Sequence, residues 1–151
     1  MNTRGLELPE AERLLRRFTS AAETMARRAL TRVVGHLRAL GYEPGTAGVL
    51  QAAGRLPKDL GAILSSHALI HTADGKHFRD VLAHASEHAD LTVVRVPERA
   101  LHERAAAALR RPPHDLQQQV AAWGRSLGPP WTADQKLAAL LAWMLLAEAS
   151  S

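Results

Sequence analysis

Apolar residues return every three or four positions along the first quarter of the chain, at Leu14, Phe18, Ala22, Met25, Ala29, Val33, Leu37 and Leu40, which is the period of an amphipathic helix. Pro9 suits a first-turn position, Glu10 and Glu12 suit the positive end of the helix dipole, and Gly41 suits the stop. One long helix is therefore predicted over residues 9–40. The pattern then breaks. Residues 42–58 carry Pro44, Gly45, Gly48, Gly54 and Pro57 as punctuation, with room for a short helical turn over 49–53 and another over 60–64.

From there the pattern predicts a strand over 66–71, stopped by the turn residues around Gly75, with a helix running on from residue 60 to 70 as the alternative, and then a helix over 74–89 that buries Phe78, Val81, Leu82, Ala85 and Ala89. Val93, Val94 and Val96 mark a strand over 91–96, since β-branched side chains fit a pleated surface. Strand, helix, strand is a βαβ unit over about 66–96, and such units are parallel. Pro97 and Glu98 open a helix over 98–111, and Pro112 and Pro113 end it. Two more helices, over 114–127 and 133–148, flank Gly128, Pro129 and Pro130 and make a helical hairpin. Residues 137–147 are apolar on nearly every face, so this last helix is either central to the core or shared with a partner chain.

The fold class expected is α/β: a mostly helical single domain over residues 1–151 with a small parallel sheet of two to four strands. Its parts are a long amphipathic helix (1–41), a βαβα core (66–111) and the C-terminal hairpin (114–148). A chain of 151 residues, 46% hydrophobic and 23% charged, is of the size and composition of one globular domain. It has no cysteine, which excludes disulfides, thiolate metal sites and cysteine nucleophiles. The first thirty residues are charged throughout and lack a signal-peptide core. The longest apolar run is 11 residues, against about 20 for a membrane span. A cytoplasmic protein with no membrane partner is expected.

The formal net charge of +4 has one source. Residues 1–40 hold eight arginines and four glutamates, whereas residues 41–151 balance eleven basic against eleven acidic groups. Arg13, Arg16, Arg17, Arg27, Arg28 and Arg38 cluster on the helical wheel opposite Phe18 and Met25. Such a face could track nucleic-acid phosphates, yet Glu10, Glu12 and Glu23 interrupt the helix and no aromatic interleaves with the arginines as a base-stacking platform requires. A solvated face is the simpler reading.

Six of the eight histidines lie between His67 and His102. In a parallel sheet the loops that follow the strands meet at one edge, where ligands bind. With a first strand ending at residue 71, that edge gathers His71, Thr72, Asp74, Gly75, Lys76 and His77 from one loop and Glu98 and Arg99 from the other. The backbone N–H groups of Gly75, Lys76 and His77 would open a helix there and suit an anion. His71 or His77 would then act as an acid–base group oriented by Asp74 or Glu98, with Thr72 and Lys76 on a phosphate or carboxylate. A small-anion, phosphate or nucleotide site, with hydrolysis within its chemistry, is the leading functional expectation. The alternatives are a homo-oligomeric or protein-interaction module working through the last helix, and non-specific nucleic-acid binding by the arginine face.

Several features restrain that reading. Thr72-Ala73-Asp74 recurs as Thr132-Ala133-Asp134, where Thr132 and Gln135 have capping-box spacing, so Thr72 and Asp74 also read as helix caps. The glycine-rich phosphate loop of nucleoside triphosphatases is missing, and Ser65 and Ser66 lack the glycines of a nucleophile elbow. His84-Ala85-Ser86-Glu87-His88 matches the spacing of inverted zinc-protease motifs, so His84 and His88 could share one divalent ion. The resemblance covers five residues and brings no third ligand, since His77 lies about 10 Å along the helix axis from His84. His67 and His71, placed on one strand, would be about 13 Å apart and form no shared site.

Overall fold

The computed structural model describes residues 8–52 and 54–150. Its elements run α1 (Leu8–Ala39), β1 (Thr46–Gln51), α2 (Leu60–Leu64), α3 (His67–His88) and β2 (Thr92–Pro97). A single 3-10 turn (Glu98–Ala100) then leads to α4 (Leu101–Leu109), α5 (Pro113–Leu127) and α6 (Ala133–Ala149). The fold is the expected one, mostly helical around a small parallel sheet. Helix α1 stops where Gly41 takes a positive φ of 85°, Pro113 sits in the first turn of α5, and the Thr132 N–H donates to Gln135 Oε1 at 3.0 Å, as the capping box requires. Of the domain expected over 1–151, residues 1–7 and 151 lie outside the described residues.

The expected first strand is in the wrong place. Residues 67–71 are the first turns of α3, begun by Ser66, whose hydroxyl accepts from the Leu69 N–H at 3.4 Å. The helix then runs straight through Gly75, because a glycine inside a helix costs only about 1 kcal/mol relative to alanine. The actual first strand, β1, lies in the stretch expected to be loop and a helical turn over 49–53, of which Ala53 lies outside the described residues. Gly48 is what disguised it. A Cβ at Gly48 would stand 2.7 Å from Leu141 Cγ and 2.8 Å from Leu145 Cδ1, so the glycine is there to let α6 lie directly on the strand.

β1 and β2 pair in parallel, with Thr46 opposite Thr92 and Gln51 opposite Pro97. A parallel pair must be covered on both faces. Leu50, Val94 and Val96 face a core built with Leu101, Leu116, Val120, Leu140, Leu141 and Met144 from α4, α5 and α6. Strand alternation turns Val49 and Arg95 to the other face, against α3. Helix α1 packs on α3 in turn. Lying between the sheet and α1, α3 buries Val81, Ala83, Ala85 and Ser86. Phe78 and Leu82, which the pattern expected to bury, are 60% and 51% exposed, one turn apart on the side of α3 that neither neighbour covers.

Helix α6 is apolar on more than its core side: β1, α4 and α5 each pack against it and bury Leu140, Leu141 and Met144, while Leu146 on the opposite side is 68% exposed. The tryptophans close the hairpin. The Trp123 and Trp143 rings meet edge to face at 5.0 Å, and the Trp131 indole donates to the Val120 carbonyl at 3.0 Å. Trp131 lies across Gly124, where a Cβ would fall 2.0 Å from its ring. Helix propensity alone makes Gly124→Ala stabilising by about 1 kcal/mol. Displacement of the indole should reverse the sign, giving a loss of about 1–3 kcal/mol in urea denaturation; a stabilised variant would show that Trp131 does not pack on α5.

Candidate functional site

The C-terminal edge of the sheet opens into a crevice of about 460 Å³. Gln51 and Ala52 line it from the end of β1, Gly54 and Leu56 from the segment beyond, Thr72, Lys76, Arg79 and Asp80 from α3, and Arg95 from β2. The four α3 residues share a face because they are spaced by four, three and one. That face reaches the sheet edge because α3 is the crossover between two parallel strands and so covers their ends.

Its charges are organised around Asp80. The Arg95 guanidinium donates to Asp80 Oδ1 at 3.0 Å, and the Lys76 ammonium donates to Oδ2 from the previous turn of the helix. Arg79 reaches the other way, to Glu98 Oε2 at 3.5 Å. Partial burial pushes the Asp80 carboxyl upward, but the hydrogen bonds and charges of Lys76 and Arg95 outweigh it and hold the pKa below the ordinary value of 3.8. Asp80 is therefore a fixed anion and a poor proton donor. Three cations meet one carboxylate among the lining residues.

The crevice admits only part of the expected site. Lys76 and Thr72 line it, although Thr72 sits inside α3 and its hydroxyl donates to the Ala68 carbonyl at 2.9 Å instead of capping a helix. Glu98 contributes through Arg79. Arg99 is exposed and does not line the crevice. His71 is exposed and its Nε2 lies 3.0 Å from that of His67. His77 lies against Phe78, with ring centroids 5.6 Å apart, and neither it nor Asp74 lines the crevice. The proposed anion-binding N–H groups of Gly75, Lys76 and His77 belong to the interior of α3, where they are spent on helical hydrogen bonds. A Cβ at Gly75 would stand 3.1 Å from Arg79 Nη1, the mobile end of a long side chain.

His84 and His88 pair on α3 with ring centroids 4.8 Å apart. Among the described residues no three His, Asp or Glu side chains are placed to hold an ion, so the protease-like spacing acquires no third ligand. Compared with protein-family profiles, with curated proteins and with solved structures, the chain matches none of them.

Sequence reasoning missed Arg79, Asp80 and Arg95. The signals were the four-three spacing of Thr72, Lys76 and Arg79, visible once the helix begins at residue 67, and the lone charge in Val94-Arg95-Val96. The network has a pH signature. A carboxyl whose pKa is lowered in the fold stabilises above its unfolded pKa and loses that stabilisation as pH falls through the folded value. Asp80→Asn should thus be destabilised at pH 7, by about 0.2–1 kcal/mol for each half-exposed pair lost. The gap to wild type should close below about pH 4. Urea denaturation from pH 3 to 7 measures it, and a pH-independent gap would dismiss the network.

Proposed function

We propose that the chain binds a small anion, a phosphorylated or carboxylated compound, in the crevice at the end of the sheet. The observation that carries the reading is the convergence of Lys76, Arg79 and Arg95 with Thr72 on one open cavity of about 460 Å³ at the C-terminal edge of a parallel pair. Cavities of that size suit small ligands, and that edge is where open α/β sheets bind them. Lysine supplies a point charge with three donors, and the two arginines supply planar forks that match phosphate or carboxylate oxygens.

The lining argues against two narrower versions. Among the described residues no aromatic side chain lines the crevice, so a nucleotide base would find nothing there to stack on, and recognition rests on the anionic group. Hydrolysis would need a base or nucleophile at the ligand. Among the described residues no histidine lines the crevice, Asp80 is pinned by two cations and the Thr72 hydroxyl is engaged with Ala68. The reading is therefore binding without a chemical step. The two other readings gain no specific support: β1, α4 and α5 cover the side of α6 that carries Leu140, Leu141 and Met144, nothing in the structure shows what covers the exposed side at Leu146, and the arginine face of α1 has no base-stacking partner in sequence.

Titration calorimetry with inorganic phosphate and with adenosine monophosphate tests this. Saturable binding is expected for both, with the adenine adding less than about tenfold. Lys76→Ala should weaken it by about ten- to a hundredfold, the range for one hydrogen bond to a charged group, while Arg16→Ala on the far face of α1 should leave it unchanged. Absence of saturable binding, or equal binding by Lys76→Ala, would overturn the proposal.

A further inference from the structure

We propose that His67 and His71 form a bidentate site for a divalent transition-metal ion, copper(II) above nickel(II) and zinc(II). Ser66 starts α3 at residue 67, and this puts the two histidines one turn apart on a single exposed face. Their rings meet edge to face, with centroids 4.4 Å apart and planes at 82°. The two Nε2 atoms are 3.0 Å apart.

That separation is the one a shared ion needs. Two imidazole nitrogens bound at 2.0–2.1 Å, with an angle between square and tetrahedral at the metal, lie about 2.9–3.4 Å from one another. Without metal, one ring donates its Nε2 proton to the Nε2 lone pair of the other. An ion would replace that proton, and a small turn of each ring would aim both lone pairs at it. The backbone has already brought the rings together, so the second nitrogen binds intramolecularly and little ordering remains to be done. Both side chains are exposed, which lets water complete the coordination. A pair of imidazoles with no carboxylate selects copper, nickel and zinc over magnesium and calcium, and the Irving–Williams order places copper first.

The chain carries its own comparison. His84 and His88 have the same spacing, but their rings lie 4.8 Å apart at 40° and His84 Nδ1 is turned to the Glu87 carboxylate at 3.8 Å. The site is also separate from the anion crevice, which neither His67 nor His71 lines. The inference stands whether or not the crevice binds anions.

The test is copper(II) titration of the full chain at pH 7.5, read by calorimetry and by the nitrogen hyperfine pattern in electron paramagnetic resonance. One equivalent should bind with a two-nitrogen signature, magnesium should not compete, and thermal unfolding should shift upward because the ion binds only the folded turn. His67→Ala and His71→Ala should each weaken that equivalent by at least about tenfold, since a chelate becomes a single ligand. His84→Ala/His88→Ala and His36→Ala should leave it intact. His71→Asn, which keeps a polar surface group, guards against a folding artefact and should behave as His71→Ala does, with circular dichroism confirming the helix. Copper binding unchanged in the His67 and His71 variants, or lost only with His84 and His88, would overturn the assignment.

Discussion

Two parallel strands cannot stand alone, and the need to cover both of their faces organises this molecule. Antiparallel pairs can leave a face in water, but β1 and β2 are joined by a crossover that places α3 on one face. The opposite face takes α6, which approaches so closely that Gly48 has no room for a side chain. Everything else is secondary to that sandwich. Helices α4 and α5 finish the core around α6, and α1 caps the outer side of α3.

The crevice is a by-product of the same constraint. A crossover helix of 22 residues is about 33 Å long at 1.5 Å per residue, whereas strands of six residues reach about 20 Å. The helix must overhang the sheet. The overhang falls at the strands' C-terminal ends, where the chain leaves β1 and returns to begin α3. Thr72, Lys76, Arg79 and Asp80 occupy that stretch of α3 and face Arg95 on the sheet. Polar groups there face water as well as one another, so charges are tolerated at an edge that would exclude them a turn further along, where Val81 and Ala85 are buried.

How much of this could be read from sequence follows from where information is local. α1, β2, α5 and α6 announced themselves through period, prolines and a capping box, all of which are settled within a few residues. β1 did not, because its most telling residue, Gly48, answers to Leu141 and Leu145 on a helix almost a hundred positions away. By local rules a glycine near Pro44 and Gly45 is punctuation; in the fold it is a contact. The start of α3 failed for the converse reason. By local rules Gly75 reads as a helix boundary, yet it lies in the interior of α3. Seven residues of misplaced helix moved the expected site from the crevice-facing side chains to a turn that does not exist. Lys76 and Thr72 survived because they belong to both descriptions, whereas His71 and His77 rotated away.

The ion pairs that line the crevice seem at first to neutralise it, and donor counting shows why they do not. Asp80 takes one hydrogen bond from Lys76 and one from Arg95, and Glu98 takes one from Arg79. Lysine has three donors and arginine five, so each cation keeps most of its N–H groups for a visitor. What the carboxylates remove is freedom. A long cationic side chain gives up about 2 kcal/mol of rotamer entropy when a ligand immobilises it, and a head group already held against Asp80 or Glu98 has lost part of that freedom before the ligand arrives. Asp80 also keeps Lys76 and Arg95, on different elements, within reach of one anion. The carboxylates lower the local potential and raise the order of the cations, and three positive groups against Asp80 and Glu98 leave the network one positive charge in excess, which is the sign the proposed anion site requires.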